Sequence, residues 1–170
     1  MALLALATLA MLWKFRRGSL EIPSSSELPD VVYEGMTLSE QYRGVPQFFI
    51  RAGHAAIYYK LNKTELRSVQ GDVPSDGDTP SFSFVAASGR YRHALANFQF
   101  NHIEVTTHEK NPLLLRTESL DWTPGDAELD CQGTVYISKE KVSGKSAQAR
   151  ANLATGHVTL WNGVHAQIVP

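Results

Sequence analysis

The feature that most constrains this chain is a strict alternation of apolar and polar residues in a unit that then recurs. In the stretch LRTESLDWTPGDAELDCQGTVYI (115 to 137), the second half predicts a strand with one dry face, formed by Leu129, Cys131, Gly133, Val135 and Ile137. A period of two is typical of a half-buried strand. LRTESLDW precedes it as a shorter strand, and TPGD (123 to 126) places Pro and Gly where a hairpin needs them. The stretch therefore predicts strand, turn, strand.

This unit repeats at an interval of about 30 residues, which predicts a stack of similar β units. The outgoing strands are IRAGHAAI (50 to 57), FVAASGRY (84 to 91), LRTESLDW (115 to 122) and GKSAQARA (144 to 151). Small residues dominate two aligned columns, the first with Ala52, Ala86, Thr117 and Ser146 and the second with Ala55, Gly89, Leu120 and Ala149. The returning strands align Val69 with Cys131 and Leu160, Gly71 with Gly133 and Asn162, and Val73 with Val135 and Val164. The second repeat, NFQFNHIEV (97 to 105), fits only with a one-residue slip, which suggests a bulge.

The size of the inward side chains leaves two architectures open. A generic all-β chain packs two apolar faces fully against each other, as in an ordinary sandwich or jelly roll. Here the inward columns are rich in Ala, Ser, Gly, Thr and Val, which predicts unfilled space between the faces. Only Phe98 and Phe100, in the second repeat, are large enough to plug such a space.

The first 30 residues differ from the rest. MALLALATLAMLW (1 to 13) is almost wholly apolar and is followed by Lys14, Arg16 and Arg17. We interpret residues 1 to 17 as one N-terminal membrane helix, although its apolar run gives only about 18 Å of helix against a hydrocarbon core of about 30 Å, so its true start stays open. Residues 18 to 30, GSLEIPSSSELPD, have the composition of an extended linker. The β domain is expected over residues 31 to 170.

Composition and motifs exclude several classes of function. A net charge of −1 and a pI near 6.6 give no electrostatic footprint for nucleic acid. With Cys131 as the sole cysteine, the chain can form neither an internal disulfide nor a cysteine-based zinc cluster. The six histidines are dispersed. No nucleophile elbow, phosphate-binding glycine loop or paired-carboxylate pattern occurs, so we expect no enzyme activity, no cofactor and no metal site.

Three motifs carry a resemblance to a known family. They are L-x-T-x-x-L-x-W from Leu115 to Trp122, G-T-V-x-I from Gly133 to Ile137, and G-x-x-A followed by L-A-T-G-x-V-T-L-W-N-G-V between Gly144 and Val164. In their order they resemble the LptC family, the membrane-anchored component of lipopolysaccharide export, within the wider OstA-like β domains. VVYEGMTLSEQ (31 to 41) is similar to the first strand pair of that family.

The resemblance implies an all-β fold, an open twisted jelly roll of repeated antiparallel strand units around an apolar groove. It implies a single-pass protein of the inner membrane with its β domain in the periplasm. Such a protein accepts lipopolysaccharide from an inner-membrane ABC transporter and passes it to a periplasmic OstA-like bridge protein. It also implies no catalytic residues.

Alternation along the strands predicts which residues line the groove and contact lipid. They are Ala52, Val69, Val73, Ala86, Phe98, Phe100, Thr117, Leu129, Cys131, Val135, Val158, Leu160 and Val164. Tyr136 and Trp161 are expected to point outward. The last strand, HVTLWNGVHAQIV (157 to 169), is expected to offer a free edge to a partner strand, with Gly144, Val164, Ala166 and Ile168 as partner-binding residues.

Two other functions compete with lipid transfer. A structural or adaptor module would have a filled core and would bind only proteins, through its strand edges. A glycan-binding jelly roll would present exposed aromatic platforms, for which only Trp122 and Trp161 are candidates.

Overall fold

The computed structural model describes residues 28 to 168 except 76 and 78, so the predicted membrane helix (1 to 17) and most of the linker lie outside the described residues. The described part is all-β, as predicted. Its ten strands are β1 Val31–Tyr42, β2 Val45–Tyr58, β3 Lys63–Val73, β4 Phe82–Arg92, β5 Asn97–Thr107, β6 Leu113–Trp122, β7 Glu128–Lys139, β8 Val142–Asn152, β9 His157–Trp161 and β10 His165–Ile168. A single 3-10 turn, His93–Leu95, connects β4 to β5. In this described part no helix is long and apolar enough to cross a membrane.

The strands form one antiparallel sheet in which neighbours in sequence are neighbours in space. The order runs from β1 to β8 without a crossover. β9 and β10 both pair with β8, β9 along Gln148–Asn152 and β10 along Val142–Lys145, so they are two halves of one edge strand. The sheet does not close on itself, which confirms the predicted open architecture.

The hairpin from 115 to 137 is confirmed in detail. Asp126 donates its backbone N–H to the carbonyl of Thr123 at 3.0 Å, and Gly125 adopts a φ of +90° that side chains disfavour. In β7, Leu129, Cys131 and Val135 are buried while alternate residues reach solvent. Alternation alone was therefore enough to predict the two faces of this strand.

A row of residues with left-handed backbone conformation (positive φ) crosses the whole sheet, and we call this row the crease. Strands β1, β3, β5 and β7 each carry a residue with positive φ on this line, namely Gly35, Ser68, His102 and Gly133. The corresponding residue of β9 is Asn162, directly after the end of that strand. The regular pairing is interrupted on the same line in the even strands, at Gly53, Ala87, Glu118 and Ala147. A left-handed residue inside a strand bends the strand and increases its local twist. The crease therefore divides the sheet into half-sheet A, which holds the β2–β3, β4–β5, β6–β7 and β8–β9 turns, and half-sheet B, which holds the other turns.

The two half-sheets fold over each other along the crease. Phe48 precedes the crease of β2 by five residues, and Phe98 precedes the crease of β5 by four, so they would lie about 30 Å apart along flat strands. Their ring centroids are nevertheless 5.5 Å apart. The inward faces of the half-sheets thus meet in one hydrophobic core, which gives the jelly roll.

The crease explains the two columns of small residues seen in the sequence. Buried residues flank it three positions apart instead of two, for example Ala52 and Ala55 in β2 and Ser146 and Ala149 in β8. Little room remains where the half-sheets converge: a Cβ on Gly89 would lie 2.8 Å from Cδ1 of Phe100. The columns therefore mark the inside of a bend and not the wall of an open space.

The predicted alignment of the first returning strand was wrong by three residues. The crease residue of β3 is Ser68, and not Gly71, so Val69 follows the crease and does not correspond to Cys131, which precedes it. Gly71 instead accommodates a ring, because a Cβ there would lie 2.1 Å from Cζ of Phe84. Gly71 is therefore a glycine that close packing requires, whereas Gly133 has a positive φ of +83°.

Candidate functional site

The residues predicted to line the interior do face it, with one exception. Nine are buried, namely Ala52, Val69, Ala86, Phe98, Phe100, Thr117, Leu129, Cys131 and Val135. Val73, Val158 and Leu160 are partly buried against the same core. Val164 differs, because it lies between β9 and β10 and is 48% exposed. The break at Asn162 and Gly163, both with positive φ, ends the alternation there, and a period of two carried through that break predicts the wrong side.

One end of the interior is filled by aromatic rings, which we call the aromatic cluster. Its members are Phe48, Phe82, Phe84, Tyr91, Phe98, Phe100 and Trp122. They come from β2, β4, β5 and β6. The sequence analysis identified only Phe98 and Phe100, although the alternation of Phe82 and Phe84 in SFSFV carried the same signal.

The other end opens into an apolar cleft at the edge formed by β8, β9 and β10. The cleft has a volume of about 380 Å³ and lies between the inward faces of the two half-sheets. Its walls are Leu113, Ile137, Lys139, Glu140, Val142, Ser143, Gly144, Gly156, Val158, Leu160 and Ala166. That volume is in the range of small-molecule sites, about 300 to 1,000 Å³.

Gly144 sits at the centre of this cleft and joins its two walls. A Cβ at this position would lie 2.8 Å from Cδ1 of Leu160 and 3.2 Å from Cγ2 of Ile137. Side chains of both half-sheets thus close over the glycine. Leu160 was predicted as a lipid contact and Gly144 and Ala166 as partner contacts, and the structure brings all three into one cleft.

The edge strand beside the cleft is exposed along its whole length. All four residues of β10 are exposed, and Ile168 is 75% exposed. Within the described chain, neither β10 nor β9 pairs with a strand on its outer side. The far edge, β1, is likewise paired on one side only, and the exposed apolar residues Val32 and Tyr33 lie on it. The chain therefore offers two strand edges, of which the sequence analysis considered only the last.

None of the buried residues of the described interior carries a charged side chain, and the charged residues of the cleft, Lys139 and Glu140, are not buried. Burial, reinforced by the nearby Asp130 carboxylate, raises the pKa of Cys131 to about 12, so its thiol keeps its proton at neutral pH. The pKa of Asp121, on the outer face, is raised mainly by burial despite the Arg92 guanidinium 3.3 Å away. No group of three or more potential metal ligands occurs in the described ranges.

The two tryptophans proposed as glycan platforms are not exposed as that function would need. Trp122 is buried in the aromatic cluster, 3% exposed. Trp161 points outward from the core, as predicted, but it is partly covered and its indole N–H donates to Oε1 of Gln148. Tyr136 is exposed, as predicted.

The family follows from a match along the chain. The model of the family described as lipopolysaccharide-assembly, LptC-related, matches residues 1 to 169. The chain belongs to the LptC-related family. Membership gives this LptC-related chain a role in lipopolysaccharide transport. Among curated proteins, none matches it by sequence.

A solved structure shows the same fold. The LptC-related chain is similar to LptH of Pseudomonas aeruginosa, described as the LptA-homologous periplasmic component of the conserved lipopolysaccharide transport device. The TM-score is 0.60 at 8% sequence identity, and the match covers 72% of this chain and 95% of LptH. At that identity the similarity shows a shared fold, the LptA-like β-jelly roll.

Proposed function

We propose that this LptC-related chain is a non-enzymatic lipopolysaccharide carrier. It accepts lipid from an inner-membrane ABC transporter, shields the acyl chains in its apolar interior, and passes the lipid to a periplasmic bridge protein of similar fold. The observation that supports this most is the apolar cleft between the half-sheets, which opens beside the unpaired edge strand β10.

Shielding of this kind has a clear physical basis. Exposing an acyl chain to water costs about 0.8 kcal/mol per CH₂, hence on the order of 10 kcal/mol for a dozen carbons. A neutral wall of Leu, Ile, Val and Gly offsets that cost through contacts without directional preference, so a chain can slide along it. The energy for net movement then comes from the transporter.

A second surface supports an amphipathic ligand. The outer face of the same strands carries a concavity of about 640 Å³ with Arg116, Lys145 and His165 among its lining residues. Arg116 is already ion-paired with Glu104, which lies outside this lining, so Lys145 is the main cation that it offers to an anionic group. It shares Gly144 and Ala166 with the cleft. An anionic headgroup outside and acyl chains inside would suit these two surfaces.

The location is part of the same proposal. We place residues 1 to 17 as a single-pass anchor in the inner membrane and the β domain in the periplasm. The periplasmic location of LptH, which shares this fold, supports the second placement.

One observation favours a competing function, a protein adaptor without lipid. Much of the interior, from β2 to β6, is filled by aromatic rings, as an adaptor core would be. Two strand edges are open for pairing with other proteins.

A photocrosslinking probe separates the two functions. It is placed at Leu160, inside the cleft, and at the adjacent Trp161, outside it, in membranes that export lipopolysaccharide. Lipid transfer predicts an adduct with lipopolysaccharide at Leu160 and none at Trp161. Absence of an adduct both at Leu160 and at Cys131, in folded protein, would favour the adaptor.

A further inference from the structure

The edge strand of the sheet changes its register against β8 halfway along. β9 ends with Trp161 opposite Gln148, and β10 begins with His165 opposite Lys145. Between these two pairs, three residues of the edge strand, 162 to 164, face two residues of β8. An extra residue on one strand of an antiparallel pair is a β-bulge. We call this bulge between β9 and β10 the edge bulge.

The edge bulge is held from one side. Strands inside the sheet have neighbours on both sides, but in the described part of the chain the edge bulge borders only β8. Its backbone is in the left-handed region at Asn162 and Gly163, with φ of +63° and +79°. Asparagine tolerates this conformation better than most other residues with a side chain. A backbone hydrogen bond of 2.9 Å, donated by the N–H of Ala147 to the carbonyl of Asn162, joins the edge bulge to β8.

A side chain of β8 reinforces this connection from the outer face. Oε1 of Gln148 accepts two hydrogen bonds, from Nε1 of Trp161 and from Nδ2 of Asn162, each of 2.5 Å. The first donor is the last residue of β9, and the second is the first residue of the edge bulge. Gln148 is half-buried, so water competes for these bonds less than on a fully open surface. The amide of Gln148 therefore fixes the point at which the chain passes from β9 into β10.

β10 itself is weakly held. It is four residues long and all of them are exposed. A short exposed strand opens at little cost, and a slip by one residue exchanges the two faces of a strand. After such a slip Ala166 would leave the cleft, and the outer backbone groups of β10 would no longer be aligned with those of β9. The geometry of the edge bulge therefore decides whether β9 and β10 present one continuous edge.

Building on the proposed function, we propose that Gln148 and Asn162 are positioning residues for the partner strand. Their hydrogen bond holds the edge bulge in the geometry in which β9 and β10 together pair with one strand of the periplasmic bridge protein. The indole N–H of Trp161 orients the amide of Gln148 toward Asn162. Gln148 and Asn162 need not contact the partner, because their effect passes through the backbone of β10.

Substitution of Gln148 in the full chain tests this role. Gln148→Met keeps the length of the side chain but removes the oxygen that accepts both bonds, whereas Gln148→Glu retains an acceptor oxygen. Binding to the bridge protein is measured by titration in detergent solution. We expect Gln148→Met to weaken binding about five- to tenfold, as the loss of one or two ordinary hydrogen bonds would, and Gln148→Glu to stay within about twofold of the unsubstituted chain.

Hydrogen exchange in the unbound chain shows where the effect arises. In Gln148→Met we expect the backbone amides of β10 to exchange faster and those of β9 to be unchanged, because β9 keeps its ladder with β8. Asn162→Gly, which suits a positive φ but lacks the side-chain donor, should reproduce both effects. Asn101→Ala is the matched control, because Asn101 donates to Oγ of Ser88 at 3.2 Å inside the sheet, away from the edge. It should leave binding unchanged.

The outcomes distinguish the positioning role from the transfer step. If the unsubstituted chain does not bind the bridge protein, the transfer step is refuted, and the positioning role with it. If it binds and the folded Gln148→Met chain binds equally well, the positioning role alone is refuted. Faster exchange in β8 and β9 as well as in β10 would indicate a general loss of stability, and failure of Gln148→Glu to restore binding would exclude the hydrogen bonds as the cause. Either of these results also overturns the positioning role.

Discussion

The aromatic end and the open end of this molecule are built from the same strand unit and nevertheless do different things. Both are flanked by the crease, both alternate with a period of two, and neither buries a charged side chain among the described residues. At the aromatic end, large rings reach across the interior and touch. At the open end no aromatic ring lines the cleft, and a space of about 380 Å³ remains. The difference teaches that the backbone pattern sets the shape of the jelly roll, whereas side-chain volume decides where it is hollow.

The largest expected difference between the two ends is the loss in the free energy of unfolding when a large side chain is truncated to alanine. Phe100→Ala removes a fully buried ring, and we expect it to lower the free energy of unfolding by about 3 to 5 kcal/mol. Leu160→Ala, at the partly exposed rim of the cleft, should cost less than about 2 kcal/mol. Urea denaturation of both variants measures this. Equal losses would mean that the open end is packed as tightly as the aromatic end.

Adding one methyl group at each end sharpens the comparison. In Gly71→Ala the new Cβ would lie 2.1 Å from the ring of Phe84, which its aromatic neighbours hold in place, so we expect a loss of about 3 kcal/mol. In Gly144→Ala the nearest atom is a terminal methyl of Leu160, which can turn toward the cleft, so the loss should be about 1 kcal/mol. Thermal and urea unfolding of the two variants measure these losses. The prediction fails if Gly144→Ala is the more destabilising substitution.

The pH dependence of stability tests whether water reaches the core at β7, next to the open end. Because the pKa of Cys131 is about 12 in the folded chain and near 9 unfolded, the unfolded state releases the proton first. The stability contribution is therefore complete below about pH 9 and declines as pH rises toward 12, by about 1.4 kcal/mol per pH unit. Cys131→Val should remove this part of the alkaline slope in unfolding measured from pH 8 to 10.5. An unchanged slope would indicate that water reaches the thiol.

The smallest effect on stability, and the most specific for function, is expected at the edge strand. Removing residues 165 to 170 deletes β10, whose residues are all exposed, so we expect a loss of less than about 1 kcal/mol because little apolar area is buried there. Association with the periplasmic bridge protein in a pull-down should be lost. Leu95→Ser, an exposed apolar residue in the turn between β4 and β5 and away from this edge, serves as the control and should retain binding. If the shortened chain still associates, the partner pairs elsewhere, and the described chain still offers β9 and β1 as edges.

Much of the fold could be predicted from the sequence because its signals are local. Alternation in 129 to 137 and the turn residues at 123 to 126 specify strands and hairpins that pair only with their neighbours in the chain. The position of the crease could not be predicted from the sequence. Ser68, His102 and Asn162 adopt positive φ although they are not glycines, so their residue types do not indicate that conformation. That is also why Gly71 was misaligned and why Val164 was placed inside.

The candidate site was predicted less completely, for a different reason. Alternation along a strand identifies which residues face inward, as for Leu129, Cys131 and Val135. It does not identify the side chains of the opposite half-sheet that these residues meet. The contact between Phe84 and Phe100 depends on the bend of the sheet. Whether an inward face borders a cleft or a ring is a property of two half-sheets together, and no single strand encodes it.

The crease has a consequence for how such a molecule can change length. Since a left-handed residue recurs in every second strand, the bend is carried by each pair of strands and not by one special corner. Gaining or losing a hairpin pair would lengthen or shorten the trough without unbending it. A strand added from another polypeptide at β10 would need only its own left-handed residue at the level of Asn162 to continue the same curvature.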